Sequence, residues 1–316
     1  MTPDDIEHLE RRLGRPHARI RLGIERDLEA RILARRIDFF DTGNWYSAHS
    51  ILRSALRASG MYRRGRSNAE RIEVRQHDIV LPRVPGSFDG FTILQLSDLH
   101  VEMNEGAMRR LADVLRGISC DLCVLTGDYR AKIYGPFDAA LDGMARLRRQ
   151  LPGPVYGVLG NHDSIRMVPA LEAMGIRMLL NESEPITRAG HHLHLAGIDD
   201  AHYYRTHSIE KAATAIPAGA FSILLSHTPE VYRQAAHAEF DVMLSGHTHG
   251  GQICLPGAVP VMLAARLPRR MGSGSWRYRE MVGYTSTGVG SSLVAARFNC
   301  PPEITLHRLE RGRAVA

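Results

Sequence analysis

Apolar residues along this chain recur in two rhythms. Over residues 1–75 they fall near helical spacing, at Ile20, Ile24, Leu28, Ile32, Leu33, Ile37 and Phe40, with Arg and Glu between them. Thr42-Gly43-Asn44 breaks that helix. A second is expected from Ser47 to Ala58, ending near Gly60 and followed by the basic stretch Arg63-Arg64-Gly65-Arg66. From Arg71 the rhythm shortens. Ile72 to His77 and Asp78 to Leu81 read as extended, and Pro82 and Pro85-Gly86 mark a turn. Five apolar runs read as buried strands: Phe91 to Leu96, Leu122 to Thr126, Val155 to Leu159, Phe221 to Leu225 and Val242 to Leu244. Helices are expected at Glu105 to Ile118, Phe137 to Arg149, Val168 to Met174, Ile209 to Ala215 and Pro229 to Ala236. Such alternation implies a layered α/β core. Strand signals return at Gly283 to Gly290 and Glu303 to Leu309, and read as a second sheet closing the fold. The expected division is a helical, Arg-rich extension over 1–75 and an α/β domain over 76–316.

Composition narrows the class. A chain of 316 residues with 44% apolar content has ample material for a large core. The net charge is +6, carried almost wholly by Arg, since Lys stands only at 132 and 211. A basic surface suits anionic substrates or an anionic membrane face. No basic stretch is interleaved with aromatics, so nucleic acid is not the indicated partner. No apolar run approaches the roughly eighteen residues of a membrane span. The start, Met1-Thr2-Pro3-Asp4-Asp5, is acidic and lacks the apolar segment of a secretory signal. A cytoplasmic location is therefore expected. The Arg-rich helices of 1–75 leave three arrangements open: peripheral contact with the inner membrane face, pairing with a second subunit, or packing on the following domain. The oligomeric state stays open with them. Four cysteines do not make a disulfide scaffold, and Cys120-Asp121-Leu122-Cys123 reads as ordinary strand positions.

The chemistry sits where the five strands end. They lead into Ser97-Asp98-Leu99-His100, Gly127-Asp128, Gly160-Asn161-His162-Asp163, Ser226-His227 and Gly246-His247-Thr248-His249-Gly250-Gly251-Gln252. Strand ends gathered at one sheet edge are where α/β proteins place ligands. Asp98 and His100 are two apart, and in an extended segment residues i and i+2 share a face. His247 and His249 repeat that spacing. The flanking glycines allow tight turns and close approach to a substrate. Asn161 adds an uncharged oxygen donor. This set is too large for one zinc, which usually takes about four ligands. It suits two divalent ions sharing one carboxylate. Mixed N/O ligation without thiolate favours Mn, Fe, Zn, Co or Ni over Ca or Mg. His191, His192 and His194 precede Leu195-Ala196-Gly197 and read as strand positions. His202 and His207 follow Asp199-Asp200 in a loop able to line a substrate cleft.

The ordered series D-x-H, GD, GNHD, H, GHTH resembles the calcineurin-like metallophosphoesterase superfamily. The opening LQLSDLH and the extended GHTHGGQ resemble its bacterial phosphodiesterase branch, the YkuE/YaeI-like proteins. The resemblance spans roughly Ile79 to Leu309, and no metal position departs from the pattern. It implies a four-layer αββα sandwich with two mixed sheets. It also implies that Asp98, His100 and His249 bind one ion, that Asn161, His227 and His247 bind another, and that Asp128 bridges them. A hydroxide shared by the ions is then the nucleophile for in-line attack at phosphorus, and His162 binds a phosphate oxygen or protonates the leaving group. Asp163 would orient His162 or a ligand, and Gly250 and Gly251 would stand close behind.

The resemblance identifies phosphorus chemistry, most directly phosphodiester hydrolysis. The leaving group is open between a small-molecule ester and a lipid- or nucleotide-linked one. Phosphomonoester or nuclease activity on the same site is the alternative, and a non-catalytic scaffold the remote one. Specificity is expected from the loops Ala131 to Pro136, Asp199 to Ser208 and Ala258 to Ser275. Around the last, Arg266, Arg269, Arg270, Arg277 and Arg279 are suited to further phosphate contacts or to a solvated basic loop.

Overall fold

In the computed structural model, which describes residues 2–35, 53–292 and 294–312, strand alternation builds the layers. In β2 (Thr92–Leu96) Ile93 faces one core, while Leu94 and Leu96 face another. In β3 (Leu122–Leu125) Leu122 and Val124 face the first of these and Cys123 and Leu125 the second. In β8 (Ser222–Leu225) and β9 (Val242–Ser245), Ile223, Leu225, Val242 and Leu244 meet that same first core from the opposite side. Leu224 and Met243 point away into a third. Strands buried on both faces carry this near-continuous apolar pattern.

Two six-stranded mixed sheets result. The first has the order β1 (Glu73–Leu81), β14 (Glu303–Arg311), β2, β3, β4 (Val155–Gly157), β5 (Ile176–Met178). The second has the order β12 (Gly274–Tyr278), β13 (Met281–Thr285), β9, β8, β7 (His191–Gly197), β6 (Glu182–Arg188). A short hairpin, β10 (Cys254–Leu255) and β11 (Val259–Pro260), stands apart. Outside the first sheet lie α1 (Pro3–Leu13), α2 (Arg15–Arg35), α5 (Glu105–Leu115), α6 (Asp138–Arg148) and α7 (Val168–Ala173), through Leu9, Ala18, Leu111, Met144 and Leu171. Outside the second lie α8 (Ile209–Ala213) and α9 (Tyr232–His237), through Ala212 and Ala235. The architecture is the four-layer αββα sandwich that the sequence implies.

Helix ends follow local chemistry. Thr2 caps α1 and Asp5 reciprocates, with Pro3 in the first turn and Gly14 (φ 88°) closing the helix. Asn104 caps α5 and Ser208 caps α8. Residues 53–58 are helical (α3), and the basic stretch Arg63 to Arg66 falls within α4 (Tyr62–Ala69). The break at Thr42-Gly43-Asn44, with Ile37, Phe40 and the start of the second helix, lies outside the described residues.

One expectation is corrected. Glu303 to Leu309 does not close the second sheet. The strand enters the first, between β1 and β2, where it pairs in parallel with β1 from Glu73↔Glu303 to Leu81↔Arg311 and antiparallel with β2. A partner of equal length saturates the whole of β1, which the shorter strands of the other sheet could not do. The helix expected through Ile20, Ile24 and Leu28 is present as α2, with Ile24 and Leu28 half-buried and Leu22 packed against the core. Ile20 is 56% exposed, whereas Ala18, Arg21 and Glu25 turn inward. Of the three arrangements open to the N-terminal helices, α1 and α2 adopt packing on the domain. Among the described residues no helix is long and apolar enough to cross a membrane. All four cysteines are free, and Cys123 is a core residue of β3.

Gln95 joins the two sheets. Its amide donates to Ser245 O (2.9 Å), in the opposite sheet, and to Thr126 Oγ1 (3.1 Å), while its oxygen pairs with His307 Nε2 (2.9 Å). Replacing it with Leu would strand buried partners on both sheets. Gln95→Leu is expected to cost about 1–3 kcal/mol, read as a lower denaturant midpoint at unchanged slope.

Candidate metal centre

The five motifs follow strands of both sheets: β2, β3 and β4 from the first, β8 and β9 from the second. Their C-terminal ends meet at one rim of the sandwich. There Asp98, His100, Asp128, Asn161, His227, His247 and His249 are all buried, at 8% exposure or less.

The pairs do not converge by the extended spacing that the sequence suggests. Asp98 (φ 51°), His100 (φ 39°), Asp128 (φ 58°), His247 (φ 70°) and His249 (φ 49°) all stand in the left-handed region. Each such residue costs of order 1–3 kcal/mol and persists only where its surroundings over-determine it. Here the loops after β2 and β3 lie side by side. Asp98 N donates to Gly127 O, His100 N to Asp128 O and Val101 N to Tyr129 O. Five of the seven candidate ligands are thus turned inward by their own left-handed backbone, and Asn161 and His227 are not. Gly246 and Gly160 admit the closest approaches, since a Cβ at Gly246 would collide with Ser97 Oγ and Asp98 Oδ2, and one at Gly160 with Asp128.

Imidazole nitrogens and carboxylate oxygens face one another at the distances that a shared cation needs. His249 Nε2 lies 3.3 Å from His100 Nε2 and 3.3 Å from Asp98 Oδ1. His227 Nε2 lies 3.0 Å from Asn161 Oδ1, 3.2 Å from His247 Nδ1 and 3.4 Å from Asp128 Oδ2. Asp128 Oδ2 is also 3.8 Å from His100 Nε2 and 3.9 Å from His162 Nε2. Among the described residues, the compact ligand groups are Asp98-His100-His249, His100-Asp128-His162 and Asp98-Asp128-His227. Asp128 recurs in two of them.

Backbone carbonyls fix the ring orientations. The far nitrogens of His100, His227, His247 and His162 meet Arg130 O (2.8 Å), Thr126 O (2.8 Å), Ala264 O (3.0 Å) and Ala131 O (2.7 Å). With one ring nitrogen committed to a carbonyl, the other is turned to the centre, the usual arrangement behind a metal-binding imidazole. Cys300 and Cys254 lie nearby, but their thiols turn to His249 O and Gly250 O, each at 3.2 Å, away from the centre.

Electrostatics fit the same role. Burial pushes His100 down to about 4 and His247 down to about 3, and lowers His249 well below the ordinary imidazole value. These three rings are neutral donors at neutral pH. Burial pushes Asp98 up to about 6. At His227 burial opposes charge, but Asp128 and Asp98 outweigh it and raise the group to about 10. Burial would likewise raise Asp128, yet His227 and His162 hold it well below the carboxylate range. The protonated His227 thus balances the buried carboxylates, a place that a divalent cation would take over.

Asp163, expected behind the ligands, ties their loops together. Its carboxylate accepts from the backbone N–H of Gly160 (2.8 Å), Asp128 (2.7 Å), Tyr129 (2.9 Å) and Arg130 (3.4 Å). It does not touch the His162 ring, whose Nδ1 is taken by Ala131 O. Gly250 (φ 58°) packs against Cys300 and Thr287, and Gly251 (φ 86°) against Pro260. Arg297, not anticipated, is fully buried. It donates to Thr287 O (2.7 Å) and Gly288 O (3.1 Å) and stands 3.3 Å from His249 Nδ1. A lone Arg before Phe298-Asn299-Cys300 carries no signal that could have marked it.

A cavity of about 120 Å³ opens onto the centre, lined by Asp128, Asn161, His162, His247, His249, Gly251, Gln252, Met262, Ala264, Ser292 and also His202. The loop after Asp199-Asp200 does line the cleft. The His202 ring lies 4.2 Å from that of His247 and its Nδ1 2.7 Å from Glu230 Oε2. The arginines of the Ala258 to Ser275 segment and beyond do not line it: Arg266, Arg269, Arg270, Arg277 and Arg279 are exposed outside the lining. A larger depression of about 420 Å³ between α5 and α6 brings together Glu105, Arg109, Arg146 and Arg149 but no ligand set. Chemistry therefore favours the smaller cavity. His191 and His192 are exposed on β7, away from the centre.

Residues 91–251 match the family Calcineurin-like phosphoesterase. The chain is 30% identical to the metallophosphoesterase YkuE of Bacillus subtilis (strain 168) over 276 residues, covering 83% of this chain and 94% of that protein. It is also 30% identical to the metallophosphoesterase YkoQ of the same organism, covering 69% of this chain and 83% of that protein. Identity to phosphodiesterase YaeI of Escherichia coli (strain K12) is 29%, covering 69% and 82%.

Two outcomes follow from the geometry. The proton that His227 holds up to about 10 must leave when a cation enters. Divalent-ion affinity should therefore rise with pH, weaken further as Asp98 protonates near about 6, and be accompanied by proton release at pH 7. Calorimetry in buffers of different ionisation enthalpy reads this, and binding without proton exchange would contradict it. Gly246→Ala should push Asp98 from its place and lower the metal bound per chain after identical loading, as measured by elemental analysis.

Proposed function

The chain belongs to the calcineurin-like metallophosphoesterase family and is a metal-dependent phosphoester hydrolase, and from that premise we propose that it is a phosphodiesterase working with two divalent ions. In this reading Asp98, His100 and His249 hold one ion, and Asn161, His227 and His247 hold the other. Asp128 stands between them. The observation that carries the reading is the Asp128 carboxylate itself, 3.8 Å from His100 on one side and 3.4 Å from His227 on the other. When bound, such ions activate water near neutral pH and neutralise charge on the phosphoryl oxygens. Mn, Fe, Zn or Ni suit this N/O donor set.

The protein's own groups do the rest. His162 is anchored through Nδ1 to Ala131 O, so its Nε2 is directed at the centre from the cavity wall. It is placed to hydrogen-bond a phosphoryl oxygen or to protonate the leaving group. Asp163 and the carbonyls behind the imidazoles keep these groups from reorganising during reaction, which is the main source of electrostatic stabilisation.

The cavity's outer lip favours an amphiphilic ester. Met262 and Ala264 line it, and Leu255, Val259, Val261 and Met262 on the adjoining hairpin segment are 47–60% exposed. Apolar exposure of this kind marks a binding surface. It supports a lipid-linked substrate over a wholly polar one.

The test compares bis-p-nitrophenyl phosphate with p-nitrophenyl phosphate after chelation and re-addition of Mn, Zn, Fe or Ni. Diester cleavage should require metal. Asn161→Ala should lose more than the roughly 10–100-fold that changes behind the ligands cost. Cleavage of the monoester alone would make the enzyme a phosphomonoesterase.

A further inference from the structure

Helix α2 lies outside the matched stretch 91–251, yet it reaches the back of the metal centre. Arg21 is fully buried. Its Nη2 donates to Asp163 O at 2.9 Å, its Nε lies 3.5 Å from Asp199 Oδ2 and its Nη1 3.6 Å from Glu25 Oε1. The guanidinium carbon sits 3.1 Å over the ring centre of Tyr204. One turn on, Glu25 accepts from Ile165 N (2.8 Å) and from Ser164 Oγ. One turn back, His17 Nε2 stands 3.1 Å from Asp199 Oδ2.

These contacts fall on two loops. Asp163 to Ile165 continue directly from Asn161 and His162, and the Asp163 carboxylate holds the Asp128 turn. The Asp199 to Thr206 loop carries His202 into the cavity and is held by its own acids. Asp199 accepts from Thr206 Oγ1 (2.6 Å), and Asp200 from the N–H of His202, Tyr203 and Tyr204. Both loops contribute to the lining of the cleft, Asn161 and His162 from one and His202 from the other, and the Arg21 guanidinium touches both loops. A buried ion pair gives little net stability over apolar packing, while removing one partner is costly. Its advantage here is directional. The planar guanidinium donates to Asp163 O through Nη2 and stacks on the Tyr204 ring while its charge faces Asp199 and Glu25, a combination that neither an apolar side chain nor an ammonium reproduces.

We propose that Arg21 is a positioning residue of the hydrolytic site, setting the His162–Asp163 loop and the His202 loop against each other. The proposal rests on reading this centre as the hydrolytic one. It makes the N-terminal helix a working part of the enzyme.

The experiment uses the full chain reconstituted with Mn and the variants Arg21→Lys and Arg21→Met. Lys keeps the charge without the fork, and Met keeps a stem without the charge. Unfolding midpoint, bound metal, kcat and KM on bis-p-nitrophenyl phosphate, and amide hydrogen exchange are read together. Small misplacements of reacting groups cost up to about 100-fold. Both variants should therefore lose roughly 10–100-fold in kcat with KM nearly unchanged, and Lys should recover little of it. Exchange should quicken in peptides spanning 160–166 and 198–206. A lower midpoint with kcat and loop exchange intact would reduce Arg21 to a structural residue and overturn the proposal. Should Arg21→Met not fold, Arg21→Lys decides the matter on the same readouts. A wild-type protein inactive on every ester would instead sink the hydrolase reading of the centre, while the exchange arm still judges the positioning role.

Discussion

The buried carboxylate of Asp163 is the constraint on which the centre depends. It gathers backbone donors from the loops after β3 and β4. A carboxylate can be buried without a counter-charge only when donors saturate it, and turning backbone N–H groups inward requires tight, irregular loops. Those loops are the ones that bring Asp128 and Asn161 to the rim. Burial, with the neighbouring Asp128, still raises Asp163 to about 6, so the amides offset its desolvation only in part.

The strain follows from that arrangement. Five candidate ligands in the left-handed region are a standing cost, offset by the packing of two sheets whose inner faces are almost wholly apolar. Some of the polar contacts between the sheets stand close to the rim. Gln95 and Ser245 cross the gap one or two residues before the ligand loops begin. The ligand loops therefore start from strands already fixed relative to each other across the sandwich. Preorganisation of this kind lets first-contact groups keep their geometry to within fractions of an ångström.

Much of this was legible in the sequence, for identifiable reasons. The five strands announced themselves because strands buried on both faces are apolar throughout, and their ends because Asp, Asn and His are conspicuous after such runs. The left-handed turns were not legible. Asp and His tolerate that region, but only the neighbouring loop, absent from local pattern, dictates it. Strand β14 was found but put in the wrong sheet, since pairing is non-local. Strands β5, β6 and β12 were missed: β5 is three residues long, and β6 and β12 carry polar, half-exposed faces. The inward-turned Arg21 and Glu25 of α2 carry no local signal, because their burial depends on partners far away in the chain.

The placing of β14 has a consequence for how the molecule comes into being. The last strand described lies between the two earliest of its sheet. Until it has been made, β1 has no partner and β2 presents a bare edge. Unpaired edges recruit other chains, and contacts so distant in sequence form slowly. During synthesis the first sheet therefore stays split until Glu303–Arg311 has been made. Loss of only that closing segment would leave β1 without its partner, while α1 and α2 keep their own contacts with the core through Leu9, Ala18, Arg12 and Arg21.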